Sequence, residues 1–235
     1  RVINRAMIEN QSGAAATRQA IISAALRLFG EYGYNAVSTR KIAELSGANI
    51  GSIAYHFGGK PGLMRACALY VINTAKNSIG SAMLEPISAK MTPVEAREEL
   101  VELMVLLVQP LTPNYDEDEI SAFIMRYIAL PSEAFDLLFN EFVEPLHKHL
   151  RQLLARATGR DEHGEDLAIL TFTLLGQAHY FKICRHVVQR SLDWDGIGQN
   201  ECLKLRNAVR FNVNAIVDAS ATPALRRTLV HEDAV

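Results

Sequence analysis

Two short helical patterns separated by a tight turn, within 39–57, constrain the fold more than any other feature of the sequence. The first pattern covers 39–46 and is broken by Gly47, a residue type that readily adopts the left-handed conformation in which many helices end. The second pattern covers 50–57 and is broken by Gly58. We therefore predict two helices joined by a short turn at this point of the chain.

Three apolar residues supply the contacts that two such helices need. Ala43 is small where the helices would cross closely, and Ile42 and Ile53 can close a small core between them. This is the spacing of a helix-turn-helix, whose second helix is shaped for the major groove of DNA. A plain helical hairpin inside an ordinary bundle shows the same helix–glycine–helix order, so the turn alone leaves both interpretations open.

Elsewhere in the chain, apolar residues recur at spacings of three and four, which is typical of helices that bury one face. No strand-like alternation bounded by hairpin turns occurs in the sequence. We predict an all-α fold, with a flexible arm over 1–16, a three-helix helix-turn-helix domain over 17–60, a larger helical ligand-binding and dimerisation domain over 61–222, and a tail over 223–235. The other expected helices cover about 17–32, a stretch from Pro61, 92–108, 119–130, 132–158, 161–191 and 199–219, with a loop over 110–118.

Charge is distributed unevenly along the chain. Residues 1–60 contain seven Lys and Arg and three acidic residues, a net charge of +4, and the whole chain has a net charge of −2, which leaves −6 for 61–235. A basic front segment on an acidic body favours a polyanionic partner. Hydrophobic residues make up 49% of the chain and charged residues 21%, which excludes a disordered or fibrous protein.

Cysteine usage and the absence of long apolar runs bear on the compartment. The three cysteines have no paired spacing, so neither a disulfide framework nor a zinc site is predicted. The sequence lacks an apolar run of the roughly 18 residues that span a membrane, and it does not start with a basic-then-apolar signal segment. We expect a cytoplasmic protein without a membrane partner, metal or cofactor.

Small, polar and basic residues occupy the positions at which the motif would meet DNA. Thr39 can cap the first helix and also donate to a phosphate. Lys60 begins the next helix, where the helix dipole and the ammonium group both favour phosphate. The residues expected at base edges are Asn49, Ile50, Gly51 and Ser52.

Residues 17–70 resemble the N-terminal DNA-binding domain of the TetR family of transcriptional regulators. The resemblance is carried by AALRLF (24–29), YGY (32–34), VSTRKIA (37–43), SG (46–47), SIAYHF (52–57) and Lys60. It implies a DNA-binding regulator in which Arg40 reaches a guanine edge, while Tyr55 and His56 contact phosphates. For Arg40, the alternative interpretations are a phosphate contact or a solvated charge. For Tyr55 and His56, the alternative is packing against the following helix.

The C-terminal part of the chain is similar to the C-terminal domain of a CecR-like TetR subfamily. The similarity is carried by GQAHYF (176–181), Arg185 and LDW (192–194). It implies a homodimeric repressor that binds a near-palindromic operator in double-stranded DNA and is released by a small-molecule effector. The helices over 161–191 and 199–219 would pair with their symmetry mates.

Aromatic, methionine and polar residues of the larger domain suit an adaptable effector pocket, although each apolar one fits an ordinary core equally. His179, Lys182 and His186 share one helix face by their spacing, which fits an anionic effector, a metal or polar contacts at a dimer interface. The pocket candidates are Met104, Phe123, Met125, Tyr127, Phe139, Phe172, Gln177, His179 and Lys182.

Motifs of common enzyme classes are missing from the sequence. It contains no phosphate-binding glycine loop, no His-Glu-x-x-His, no Gly-x-Ser-x-Gly and no Cys-x-x-Cys pair, so we expect no enzyme. The alternative function is a helical small-molecule-binding or interaction protein whose helix-turn-helix no longer binds an operator. The basic residues Arg40, Lys41 and Lys60 argue against that alternative.

Overall fold

The computed structural model describes residues 2–80, 86–108 and 115–225. In these ranges every regular element is a helix, which confirms the predicted all-α fold. In chain order the helices are α1 (Val2–Tyr32), α2 (Thr39–Ser46), α3 (Ile50–Phe57), α4 (Lys60–Ile79), α5 (Pro93–Val108), α6 (Tyr115–Ile128), α7 (Glu133–Leu138), α8 (Glu144–Thr158), α9 (Glu165–Ile183), α10 (Arg185–Leu192) and α11 (Gln199–Ser220). A π-helical turn, Phe139–Val143, joins α7 to α8.

The helices form two compact units. The first contains the described residues within 1–75 and 114–142, and the second contains those within 76–113 and 143–235. This division differs from the boundary predicted after residue 60. The reason is that the apolar face of α4, including Leu63, Cys67 and Val71, is buried in the core of the first unit, together with residues of α6 and α7.

Helix α1 begins at Val2, so 2–16 are helical where the sequence predicted a flexible arm. Thr17, at which the helix was predicted to begin, lies inside α1, and its hydroxyl donates to the carbonyl oxygen of Gly13 at 2.9 Å. No proline occurs within 2–32, and the three alanines at 14–16 favour helix. The helical pattern therefore continues through the polar segment.

Helix α6 is attached to the C-terminal end of α1. The guanidinium of Arg126 donates to the carbonyl oxygens of Gly30, at 2.7 Å, and Glu31, at 2.9 Å. The hydroxyl of Tyr127 lies 3.4 Å from the carbonyl oxygen of Phe29. A Cβ at Gly30 would lie 3.3 Å from a backbone nitrogen of α6, so the two backbones approach closely. Arg126 thus satisfies carbonyl groups that a helix end leaves without partners.

In the second unit, α5 packs against α8, α9 and α11. Polar links join these helices at their edges. The guanidinium of Arg97 donates to both carboxylate oxygens of Asp218, at 2.7 and 3.1 Å, and the buried ring of His149 lies 3.0 Å from a carboxylate oxygen of Glu99. The buried apolar residues include Leu100, Leu103, Met104, Leu150, Leu153, Leu154, Leu174, Leu175, Val209 and Val213.

Two long predicted helices are interrupted in the structure. The helix predicted over 161–191 is divided into α9 and α10, which are bent by 76° at Cys184, and the one predicted over 132–158 contains the π-helical turn. Within the predicted loop 110–118, residues 115–118 belong to α6 and the others lie outside the described residues, as does the tail beyond 225. Among the described helices, none is by itself long and apolar enough to cross a membrane, and only the bent pair α9–α10 meets that length and composition.

Helix α10 ends in a tight turn. Asp193 adopts a left-handed conformation with φ 54°, and the N–H of the next residue, Trp194, donates to the carbonyl oxygen of Gln189 at 2.9 Å. The ammonium of Lys204 on α11 lies 5.4 Å from the centre of the Trp194 ring, within the range of a cation–π contact. The turn therefore holds the indole against the start of α11.

Candidate nucleic-acid interface

Helix α2 begins with a side-chain cap at Ser38. Its backbone is extended, with φ −93° and ψ 153°, and its hydroxyl oxygen accepts from the N–H of Lys41 at 3.2 Å. Thr39, which the sequence analysis named as the cap, is the first helical residue instead. A cap residue needs an extended backbone so that its oxygen can reach the first free N–H groups, and Ser38 has that backbone. Arg40 follows as an exposed residue of the first turn.

The turn between α2 and α3 has the geometry that its glycine predicts. Gly47 has φ 67°, and its N–H points to the carbonyl oxygens of Ala43 and Glu44. The N–H of Ala48 also donates to the carbonyl oxygen of Ala43, at 3.1 Å. The predicted left-handed end of α2 is therefore confirmed.

Helix α3 has one buried and one exposed side. Asn49 caps it, because its side-chain oxygen accepts from the N–H of Gly51 at 2.9 Å. Ile53 is 1% exposed and joins Ile42 in the core of the first unit, as predicted. On the opposite side, Tyr55 is 84% exposed. An eight-residue helix with a capped start and an open polar and aromatic side is the part of the molecule best suited to enter a DNA groove.

Two lysines beside α3 are positioned by aromatic rings. The ammonium of Lys60, at the start of α4, lies 4.2 Å from the centre of the Tyr34 ring. The ammonium of Lys41 lies 3.9 Å from the centre of the Tyr32 ring. Each contact has cation–π geometry, which limits the freedom of a long side chain while its charge stays near the surface.

The nine residues predicted to contact DNA all lie in the first unit, at the start of α2, on α3 with its cap, or at the start of α4. The exposed ones are Arg40, Asn49, Ile50, Gly51 and Tyr55, and the half-buried ones are Thr39, Ser52, His56 and Lys60. The structure thus brings the predicted set onto neighbouring elements.

Several residues outside the nine predicted DNA contacts support or extend this surface. Ser38 caps α2, and Lys41 contacts the ring of Tyr32. Arg18 on α1 lies 5.3 Å from the centre of the Phe57 ring, and with Arg65 it lines a groove of about 510 Å³ beside α3. Arg18 precedes the buried Ile22 by one helical turn. This spacing is the sequence signal that could have placed Arg18 beside the core of the first unit.

The residues predicted to line an effector pocket are divided between the two units. Phe123 and Tyr127 pack in the core of the first unit, with ring centres 4.5 Å apart. In the same unit, Phe139 stacks on Phe135 with ring centres 5.7 Å apart, and Met125 is half-buried on α6. The remaining candidates, Met104, Phe172, Gln177, His179 and Lys182, belong to the second unit.

Within the second unit, the polar candidates also point to different neighbours. The side-chain oxygen of Gln177 accepts from the amide of Asn212 on α11 at 3.0 Å. His179 interacts electrostatically with Lys182 and with His147 on α8. His186 lies on α10 beyond the bend, so it does not continue the face of α9. A groove of about 900 Å³ along α5 and α11 is lined by none of the nine candidates.

Two family matches together cover most of the helical residues that the structure describes. Residues 21–67 match the family described as bacterial regulatory proteins, tetR family. Residues 96–220, more than half of the chain, match the C-terminal domain of the HTH-type transcriptional dual regulator CecR. The two matches thus fall on either side of 68–95 and together include the surface of α2 and α3.

Individual relatives agree with these matches. The chain is 28% identical over 211 residues to the HTH-type transcriptional dual regulator CecR of Shigella flexneri. The matched region covers 88% of this chain and 94% of that protein. It is 40% identical over 52 residues to the HTH-type transcriptional repressor AcnR of Corynebacterium glutamicum, covering 22% of this chain and 28% of that one.

Solved structures show the same fold at low sequence identity. AibR in complex with isovaleryl coenzyme A and operator DNA superposes with a TM-score of 0.60 at 16% identity, covering 83% of this chain and 96% of AibR. The TetR family transcriptional regulator PfmR of Thermus thermophilus superposes with a TM-score of 0.56 at 18% identity, covering 84% and 93% of the two chains.

Proposed function

The chain belongs to the TetR family of transcriptional regulators, with the C-terminal domain of the CecR type, and we propose that it represses its target genes by binding a near-palindromic operator as a homodimer. A small effector bound in the second unit releases the operator. The molecule acts as a regulator rather than as an enzyme, and it acts in the cytoplasm, where its DNA target is accessible.

The observation that carries this proposal is the helix pair α2–α3. Both helices start with side-chain caps, at Ser38 and Asn49, and Gly47 ends α2 in the left-handed conformation. The fixed pair presents Arg40 and Tyr55 to solvent beside the ammonium of Lys60. Base edges require a pre-positioned helix and phosphates require nearby cations, and this surface supplies both.

Exposed apolar faces on α9 and α11 support the dimer. Ile169 and Ile183 on α9 are more than half exposed, as are Leu203 and Phe211 on α11. Large apolar side chains left in water favour association, and a two-fold contact between copies would cover the same face on each chain.

Release follows from linkage between two sites. An effector that binds the conformation unsuited to the operator more tightly must lower operator affinity by the same factor. The AibR structure, which contains both an acyl coenzyme A ligand and operator DNA, supports the presence of two such sites in one fold of this kind.

The test is binding of the purified chain to labelled DNA from upstream of its own gene, measured by fluorescence anisotropy at several salt concentrations. We expect this DNA to bind at least roughly 10³-fold more tightly than random DNA of equal length. Equal affinity and equal salt dependence for both would favour the alternative, a small-molecule-binding or interaction protein without an operator. A promoter reporter then measures the direction of regulation, and lower transcription in the presence of the chain is expected.

A further inference from the structure

The seam between α8 and α9 in the second unit contains a group of basic side chains. His147 and Arg151 are one helical turn apart on α8, and His179 and Lys182 are one turn apart on α9. The two helices pack against each other. Four basic residues from two neighbouring helices are therefore brought to one seam.

An aromatic contact identifies the faces that meet there. The ring of His147 is edge-on to the ring of Phe172, with centres 5.4 Å apart and planes at 76°. Phe172 and His179 are seven residues apart on α9, so they lie on the same side of that helix. The side of α9 that meets His147 is thus the side that contains His179.

The guanidinium of Arg151 is incompletely paired. Its Nε is buried and has no hydrogen-bond partner in the part of the chain that the structure describes. A buried N–H of a charged group without an acceptor is costly, so such groups normally have a partner. An anion is the acceptor that a guanidinium binds best, because its planar fork matches a carboxylate.

Electrostatics in the seam point the same way. Burial and the neighbouring charge of Arg151 lower the pKa of His147. Burial, Lys182 and His147 lower the pKa of His179. The neighbouring groups that shift these two pKa values are all basic, so a negative charge placed among them would be stabilised.

We infer that the α8–α9 seam is the subsite for the carboxylate of an anionic effector, held by Arg151, His147 and His179. Phe172 provides an aromatic surface for the apolar body of the same molecule. The ligand class is a small carboxylic acid with an alkyl or aryl body. This inference rests on the proposed function, since it names the chemical class of the effector.

The test compares carboxylates with their neutral amides. Octanoate and cinnamate are titrated against octanamide and cinnamamide by calorimetry, using the full chain. We expect each acid to bind at least tenfold more tightly than its amide, and Arg151→Gln to remove that preference. Arg156→Gln, an exposed arginine on the same helix, is the matched control and should keep it.

Two further measurements keep the outcome decisive. Circular dichroism establishes whether Arg151→Gln folds, and if it does not, the double variant His147→Gln/His179→Gln replaces it with the same expectation. Proton NMR of the histidine ring C–H groups should show two signals that shift with the acids and not with the amides.

The subsite is overturned if the wild type binds acids and amides equally or binds neither, or if the folded variants keep the preference for the acids. Operator binding is measured on the same samples. Intact operator binding with a failed acid titration overturns only the subsite, whereas loss of specific DNA binding by the wild type overturns the proposed function.

Discussion

Lys60 and Arg40 are both basic, but their positions predict different effects on DNA binding. Lys60 is held over the Tyr34 ring at the start of α4, whereas Arg40 is exposed in the first turn of α2. Lys60→Ala should weaken binding to every DNA sequence and reduce the salt slope by about one unit for one lost phosphate contact. Arg40→Ala should instead relax the preference at one base pair per half-site, by about 1–3 kcal/mol.

These effects are measured by anisotropy titrations on the operator, on single-base variants and on random DNA. Lys148→Ala, an exposed lysine of the second unit, is the control that removes a positive charge away from the proposed surface. If Arg40→Ala lowers specific and random binding by the same ratio, Arg40 does not contact a base edge.

The two half-buried histidines of the α8–α9 seam predict how stability depends on pH. Their pKa values are lowered from 6.5 in the folded chain, by burial and then by Arg151 for His147 and by Lys182 and His147 for His179. The unfolded chain therefore takes up protons first. The contribution of these two histidines to stability should be fully present above about pH 6.5 and should be lost as the pH drops from there through the lowered pKa values.

Urea unfolding of the wild type and of His147→Gln/His179→Gln at pH 7.5 and 5.5 measures this dependence. The double variant should lose less stability on acidification than the wild type. His163→Gln, in an exposed turn, serves as the control and should follow the wild type. An unchanged acid loss in the double variant would show that other groups cause it.

At the scale of single helices, the attachment of α6 to α1 depends on Arg126. Its guanidinium bonds two carbonyl oxygens at the end of α1. Arg126→Ala should lower the free energy of unfolding by about 1–3 kcal/mol, because those carbonyl groups lose a charged donor. Urea unfolding measures the loss, with Arg27→Ala, an exposed residue of α1, as the control. Equal midpoints for the two variants would contradict the assignment.

The helices that sequence predicts best are those whose ends are encoded locally. The bounds of α2 and α3 agree with prediction because Gly47 and Gly58, both with positive φ, end them. The bend at Cys184 has no such signal, since neither glycine nor proline lies at the break. The start of α1 also has no local signal, because the polar residues over 2–16 fit a flexible arm as well as a helix, and they are helical.

The same distinction explains the candidate sites. The DNA-contact residues lie within one short motif, so their neighbourhood follows from sequence spacing. The pocket candidates depend on which helices meet, and periodicity along one helix does not contain that information. Phe123 packs in the core of the first unit and Gln177 pairs with Asn212 on α11, so a ligand shared by the two stays a prediction.

For the whole molecule, the dimer depends on the exposed face of α9 and α11. Phe211 is 72% exposed, and Phe211→Glu should place a charge in the contact and produce monomers at micromolar concentration. Operator affinity should fall in this variant because dimerisation is lost. Sedimentation measures the mass, and Leu130→Glu, which changes a leucine that is 71% exposed in the first unit, should remain dimeric. A strictly monomeric wild type would refute the dimer.

A two-fold regulator with one helix-turn-helix per subunit also predicts the spacing of its operator. The two α3 helices of the DNA-bound dimer should lie about one DNA turn apart, roughly 34–36 Å. Inserting half a turn of DNA between the half-sites should therefore abolish specific binding, whereas inserting a full turn should reduce it less. Equal binding to the two altered operators would show that the subunits bind independently.

The turn after α10 has a consequence for optical measurements. The chain contains one tryptophan, Trp194, and it lies in the second unit, whereas every residue proposed to touch DNA lies in the first. Light absorbed at the red edge of the protein spectrum is emitted from that indole alone. A change in its emission colour or lifetime on adding operator would report a rearrangement around Lys204 and the start of α11. The unlabelled protein thus contains its own fluorophore for following communication between the units.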